Sequence, residues 1–296
     1  MKPLSTHSTI PRTGVHSDFV PRFVTVNGIR IHCLETGGPG VGPPLLMIHG
    51  WTGSAADWGP LLRALPDRMH AVAVDLPGCG LSEKPDAAYD IPWFLEILHA
   101  LCGALEAPRI VLAGHSMGGQ VAVHFAARYP DMVERLILID PYGLQGEEGS
   151  MLILARLGPV VNIAFALNTR LFIGWGMKAN VLHNAPLTTL RTAVKSTAVS
   201  ILGREGARAI TRITKRVIGR APVDALLPGI HQDTLLLWGD HDRLLPPRWA
   251  RTFARRLPRV SVRMIPDAGH MPMLEKPLIV ADLIDGFLSR QEGMPG

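Results

Sequence analysis

Six short apolar runs recur along the chain: PPLLMIHG (43–50), MHAVAVDLPG (69–78), RIVLAGHS (109–116), RLILIDP (135–141), TLLLWGD (234–240) and VSVRMIPDAG (260–269). Each runs into glycine, proline, serine or aspartate, which marks a strand buried on both faces rather than a helix. Segments of helical pattern lie between most of them, at 91–105, 118–130 and 247–258, and 276–291 closes the chain as another helix. Strands alternating with helices join in parallel through crossovers that leave helices on both faces of the sheet. Residues 22–35 add an antiparallel hairpin, with Asn27-Gly28 as its two-residue turn. The pattern predicts an α/β fold with a mostly parallel eight-stranded sheet flanked by helices. In such sheets chemistry gathers outside the C-terminal ends of the strands.

One interval breaks the rhythm. From Gly143 to Pro228 the pattern is helical throughout, and residues 145–228 carry 11 Lys/Arg against 4 Asp/Glu in a chain of net charge +5. This predicts a helical cap over 144–228, inserted into a core of 21–143 and 229–296 behind a tail of 1–20. Within the cap, Arg204, Arg208, Arg212 and Arg216 recur every four residues, with Ala209, Ile210, Ile213 and Val217 on the other side. The stripe is either a solvated face over a packed one or a surface for peripheral contact with anionic lipid. No nucleic-acid-binding motif accompanies the charge, so nucleic acid is excluded as a partner.

Residues 151–177 are apolar but interrupted by Arg156, Pro159, Asn162, Asn168 and Arg170, which argues against a membrane span. The start lacks the apolar core of a secretory signal, and Cys33, Cys79 and Cys102 form no C-x-x-C pair. A cytoplasmic protein with free thiols and no metal site is expected.

Gly114-His115-Ser116-Met117-Gly118 fits G-x-S-x-G between a predicted strand and a predicted helix. Such a turn holds serine in strained backbone geometry with its hydroxyl exposed, beside helical N–H groups suited to an oxyanion. A serine hydroxyl needs a base, and the base needs an orienting acid. His270, one of 12 histidines, sits just past a predicted strand, on the same sheet edge as Ser116. The acid has three candidates at strand ends: Asp140, Asp240 and Asp242.

Five pieces in order resemble the α/β-hydrolases with a helical lid across residues 20–291. They are His49-Gly50-Trp51, the run DLPGCGLS at 75–82, GHSMGG, WGDHDRLLP and AGHMPMLEKP. The resemblance implies the order Ser…Asp…His, and its G-x-x-D-x-x-x-P spacing, Gly239 to Pro246, selects Asp242. It implies the backbone N–H groups of Trp51 and Met117 as oxyanion donors, and a substrate pocket at Gly50, Trp51 and His115. Asp75-Leu76-Pro77-Gly78 reads as a turn shaping the floor of the site.

The triad and the resemblance together imply a carboxylic ester hydrolase working through an acyl-enzyme on Ser116, without metal or organic cofactor. The apolar cap suits medium-chain acyl or monoacylglycerol-like esters. Dehalogenases and epoxide hydrolases of this fold use aspartate where Ser116 stands, and the cap lacks the acidic cluster of the aminopeptidases. Hydrolases of C–C bonds and cofactor-free perhydrolases share the triad, and a non-catalytic ligand receptor is the alternative of another kind.

Overall fold

The computed structural model describes residues 19–38, 42–146, 169–201 and 203–289. The 1–20 tail, apart from Phe19 and Val20, and the 151–168 part of the apolar cap run therefore lie outside the described residues.

The eight strands are β1 Val20–Val26, β2 Ile29–Glu35, β3 Leu45–Ile48, β4 Ala71–Val74, β5 Ile110–His115, β6 Val133–Ile139, β7 Asp233–Gly239 and β8 Val260–Ile265. They form one sheet in the order β1-β2-β4-β3-β5-β6-β7-β8. β1 pairs with β2, and β2 with β4, in antiparallel fashion; all other pairs are parallel. The hairpin turns at Asn27 (φ 50°) and Gly28 (φ 77°), two consecutive left-handed residues, as a two-residue turn matched to strand twist requires. Every residue of β3, β4 and β5 is buried, which is why these strands read as unbroken apolar runs.

Helices cover both faces. In chain order they are α1 Gly59–Ala64, α2 Ile91–Ala104 and α3 Met117–Arg128, then α4 Thr169–Gly176, α5 Leu187–Ile201 and α6 Gly203–Arg216. The last three are α7 Trp249–Arg256, α8 Pro272–Glu275 and α9 Pro277–Leu288. One hydrophobic cluster gathers Phe94, Leu98, Val121 and Phe125 from α2 and α3 on one face of the sheet. The other gathers Leu61, Leu62, Ile284 and Phe287 from α1 and α9 on the opposite face.

Between β6 and β7 the described elements are helical: α4, a π-helical turn at Met177–Val181, α5, α6 and a short 3₁₀ turn at Leu227–Gly229. α6 buries Gly206, Ala209, Ile210, Ile213 and Thr214. Its arginine stripe is not uniformly free: Arg212 pairs with Asp86 of the core and also donates to the carbonyl of Ala87 (3.2 Å). Arg204, Arg208 and Arg216 are exposed.

Candidate active site

The site is built where β5, β6, β7 and β8 end. Ser116 follows β5 directly and opens α3 with φ 52° and ψ −120°, a conformation costly for any residue with a Cβ. Its N–H donates to Ile139 O (3.0 Å), and its carbonyl accepts from Tyr142 N (3.0 Å), which pins the turn to the β6 end. The glycines around it are sterically required. A Cβ on Gly114 would lie 2.3 Å from Gly118 O, and one on Gly118 would lie 2.3 Å from Ile48 O. The helix thus starts in direct backbone contact with β3.

His270 stands in the loop between β8 and α8, and Asp242 in the loop after β7. Those loops are laced together: His241 N–H donates to Ala268 O (2.9 Å) and Asp240 N–H to Ile265 O (3.1 Å). The Ser116 hydroxyl donates to His270 Nε2 (3.0 Å), and His270 Nδ1–H donates to Asp242 Oδ2 (2.7 Å). The other oxygen of Asp242 accepts from Leu244 N (2.8 Å) and Leu245 N (2.9 Å), so the carboxylate is held and aimed. All three residues are buried. Asp240 turns away from the line and pairs with His241 Nδ1 (2.6 Å). Asp140 is buried beside Asp242. One ligand-type atom each of Asp140, Asp242 and His270 lies within 4.8 Å of the others, the one such three-residue group among the described residues.

Met117 is the first residue of α3, so its N–H has no intrahelical carbonyl to meet. Trp51 follows the β3 turn, where Gly53 N–H donates to Gly50 O (3.1 Å). A Cβ on Gly50 would sit 2.9 Å from His115 Nδ1 and 3.1 Å from Ser116 Cβ, so only glycine lets this turn approach the serine. Trp51 and Ser116 both line one cavity, and the Met117 N–H lies at the start of α3 beside the serine.

The hydroxyl opens on a cavity of about 80 Å³. Gly50, Trp51 and His115 all line it, together with Met177, Val181, Thr197 and Ile218 from the segment between β6 and β7. Trp51 also ties the core to that segment, its Nε1–H donating to Thr214 Oγ1 (3.0 Å) on α6. His115 donates from Nε2 to His270 O (2.7 Å). Burial first, then the nearby His270 charge, push the His115 imidazole well below its ordinary range, so it is neutral. Asp75, which does not line the cavity, ties the loop after β4 to neighbouring backbone. It is buried and accepts from Ala55 N (2.5 Å), Leu81 N (2.7 Å) and His32 Nδ1 (2.8 Å).

Three contributions escaped sequence reasoning. Glu275 accepts from Gly269 N (3.1 Å), Met271 N (3.1 Å) and His183 N (2.7 Å), clamping the His270 loop to the segment after the π-helical turn. Its one signal in the sequence was its place five residues beyond His270 in HMPMLEKP. Ser196 and Ser200 of α5 bond to Ser54 Oγ (2.7 Å) and Gly53 O (2.7 Å), across separations of 142 and 147 residues that no local pattern reveals. Asp57 closes a capping box with Ser54 and lines the cavity, and burial pushes its carboxyl up to about 7.

A serine on a strained strand-to-helix turn, an imidazole and a carboxylate from later strand ends, and this strand order define a class of protein. The chain belongs to the alpha/beta hydrolase fold family, whose sequence model matches residues 43–277, and it is a hydrolase of that family. Among solved structures it is similar to a bacterial membrane phospholipase A, with 30% identity and a TM-score of 0.73 over 92% of this chain and 87% of that one. It is also similar to a thermophilic esterase from Thermogutta terrifontis, with 25% identity and a TM-score of 0.76 over 91% and 98% of the two chains. A 2-hydroxymuconate semialdehyde hydrolase of a Pseudomonas species is 27% identical over 285 residues, 94% of this chain and 96% of that protein.

Proposed function

We propose that this hydrolase cleaves carboxylic esters through an acyl-enzyme on Ser116. The observation that carries the reading is the hydrogen-bonded line from Ser116 Oγ through His270 to Asp242, at 3.0 and 2.7 Å. In the proposed cycle His270 Nε2 takes the hydroxyl proton as Ser116 attacks the ester carbonyl, and Asp242 stabilises the imidazolium. The N–H groups of Trp51 and Met117 receive the oxyanion; losing one such donor costs about 10²–10³ in rate. His270 returns the proton to the leaving alcohol and then activates the water that clears the acyl group.

The apolar side chains of Met177, Val181, Ile218 and Leu244 on the cavity wall suit the acyl chain better than a charged group. The similarity to an esterase and to a phospholipase, each over most of both chains, supports ester bonds as the substrate class. The exposed Arg204, Arg208 and Arg216 are the part of the stripe that would meet an anionic lipid surface, since Arg212 is taken up by Asp86. A second reading, hydrolysis of a C–C bond in a ring-cleavage product, is favoured by the similarity to the 2-hydroxymuconate semialdehyde hydrolase.

A panel of 4-nitrophenyl esters from acetate to palmitate, run beside a vinylogous diketone, separates the two. A cavity of about 80 Å³ beside Ser116 suits a short acyl group better than a sixteen-carbon chain. The butyrate ester is therefore expected to turn over many times per protein molecule and faster than the palmitate. Diketone cleavage with no ester turnover would replace the ester reading by the second one. A single slow turnover with strong thermal stabilisation by ligand would point to a receptor.

A further inference from the structure

The strand ends hold one more acid than the proposed cycle uses. Asp140 follows β6 as Asp242 follows β7, with φ 43° and a fully buried side chain. Its Oδ1 accepts from Gly239 N (2.9 Å), whereas its Oδ2 is buried without a hydrogen-bond partner. An unmet carboxylate oxygen at that depth is costly and calls for an explanation. The neighbours supply one. An oxygen of Asp140 lies within 4.8 Å of an oxygen of Asp242 and of a ring nitrogen of His270. Two buried carboxyls this close share one proton rather than both ionise.

Hydrogen-bond supply decides which of them carries it. Asp242 receives three donors, from Leu244 N, Leu245 N and His270 Nδ1, all of which favour its ionised form. Asp140 receives one. A proton on Asp140 Oδ2 turns the orphaned acceptor into a donor facing the Asp242 carboxylate. Burial, followed by the charge of Asp242, raises the Asp140 carboxyl well above the usual range; Glu275 acts in the same direction and the Gly239 N–H opposes it.

We propose that Asp140 is a second acid of this site: it donates a hydrogen bond to Asp242, and it replaces Asp242 as the counter-charge to His270 whenever position 242 is neutral. The proposal rests on the hydrolase reading of Ser116 and His270. Asp140 acts through Asp242 and His270, so it is a positioning residue and touches no substrate.

Four proteins test it: wild type, Asp140→Asn, Asp242→Asn and the double variant, each assayed from pH 5 to 9. Two readouts are taken, 4-nitrophenyl butyrate turnover and the rate at which a fluorophosphonate labels Ser116. Asp140→Asn keeps a neutral N–H donor towards Asp242 and is expected to stay within about 3-fold of wild type. Asp242→Asn is expected to lose about 10²–10³-fold rather than the roughly 10⁴ of a triad with no stand-in. Its remaining activity should rise with pH as Asp140, relieved of its charged neighbour, gives its proton to solvent. Asp242, His270 and Glu275 are the titratable groups facing Asp140, and the double variant removes only the contribution of Asp140 from that rise.

The double variant is expected to fall at least about 10-fold below Asp242→Asn, a non-additivity that a purely structural aspartate would not produce. If it fails to fold, Asp140→Ser in the Asp242→Asn background makes the same comparison. Equal activity of Asp242→Asn and the double variant overturns the proposal, as does an Asp140→Asn loss as large as that of Asp242→Asn. A wild type that labels but cleaves no ester loses only the substrate reading, and the comparison is then made on labelling rates. A wild type that does neither overturns both.

Discussion

Replacing Ser116 with glycine is expected to abolish turnover and, at the same time, to make the protein more stable. The loss comes from the proposed chemistry: with no nucleophile, kcat/KM should drop by at least about 10⁴-fold, to what binding and oxyanion donors supply alone. The gain comes from the backbone. At φ 52° and ψ −120° a side chain is strained, and such a residue stores on the order of 1–3 kcal/mol. Glycine reaches that region freely. Alanine keeps the Cβ and hence the strain, so Ser116→Gly is expected to exceed Ser116→Ala in unfolding free energy by about 1 kcal/mol. At ordinary sites glycine is the less stable of the two by roughly 0.5–1 kcal/mol, which makes the inverted order diagnostic. Chemical denaturation of the two variants measures it. A glycine variant less stable than the alanine variant would mean that the serine turn stores no strain.

The second large effect is expected at Gly118. An added Cβ would lie 2.3 Å from Ile48 O and 2.5 Å from His49 O, both of them backbone atoms of the β3 end. Neither can swing aside as a flexible side chain could. α3 must back away from the sheet, and with it the N–H of Met117 beside the nucleophile. Gly118→Ala should therefore cost about 3 kcal/mol of stability by overpacking. It should also cost about 10²–10³ in kcat, with a smaller change in KM, because the proposed oxyanion donor moves. Gly103, near the end of α2, has nothing within 4 Å of an added Cβ. Gly103→Ala is the internal control, expected to be neutral or to stabilise by up to about 1 kcal/mol. Urea unfolding of both variants separates the two cases, and equal stability of Gly118→Ala and Gly103→Ala would refute the close contact at the turn.

Much of this was legible in the chain itself, for reasons that particular residues make clear. β3, β4 and β5 are buried on both faces, so LLMI, AVAV and IVLAGH stand out as continuous apolar runs. Asn27-Gly28 marked the hairpin because few other residue pairs take two left-handed conformations in succession. Ser116 was identifiable from its glycines, since both are forced by backbone contacts. Choosing among the acids was harder, because strand-end position alone does not separate them. Asp140 and Asp242 end neighbouring strands and converge on one imidazole, so a residue-by-residue reading leaves both open. Only the G-x-x-D-x-x-x-P pattern separated them.

Other parts left no local trace. α1 is six residues long, begins Gly59-Pro60 and follows a 3₁₀ turn, too short to show a helical period. Met177, Val181 and Ile218 are part of the cavity wall, and although the apolar character of the cap was legible, nothing local marked which of its residues would face Ser116. The bond from Trp51 to Thr214 spans 163 residues, and the charge stripe on α6 gave no sign that Arg212 would be spent on Asp86. These contacts exist only once the tertiary structure has formed.

The central claim is that Ser116 carries the acyl group between two half-reactions. The most direct measurement is the mass of the peptide bearing Ser116, taken after wild-type protein is mixed with 4-nitrophenyl butyrate and quenched in acid during turnover. The expected result is one butyryl group on that peptide, present in Asp242→Asn at longer times and absent from Ser116→Gly. Sustained ester turnover with no adduct there, or with the butyryl group on another residue, would contradict it.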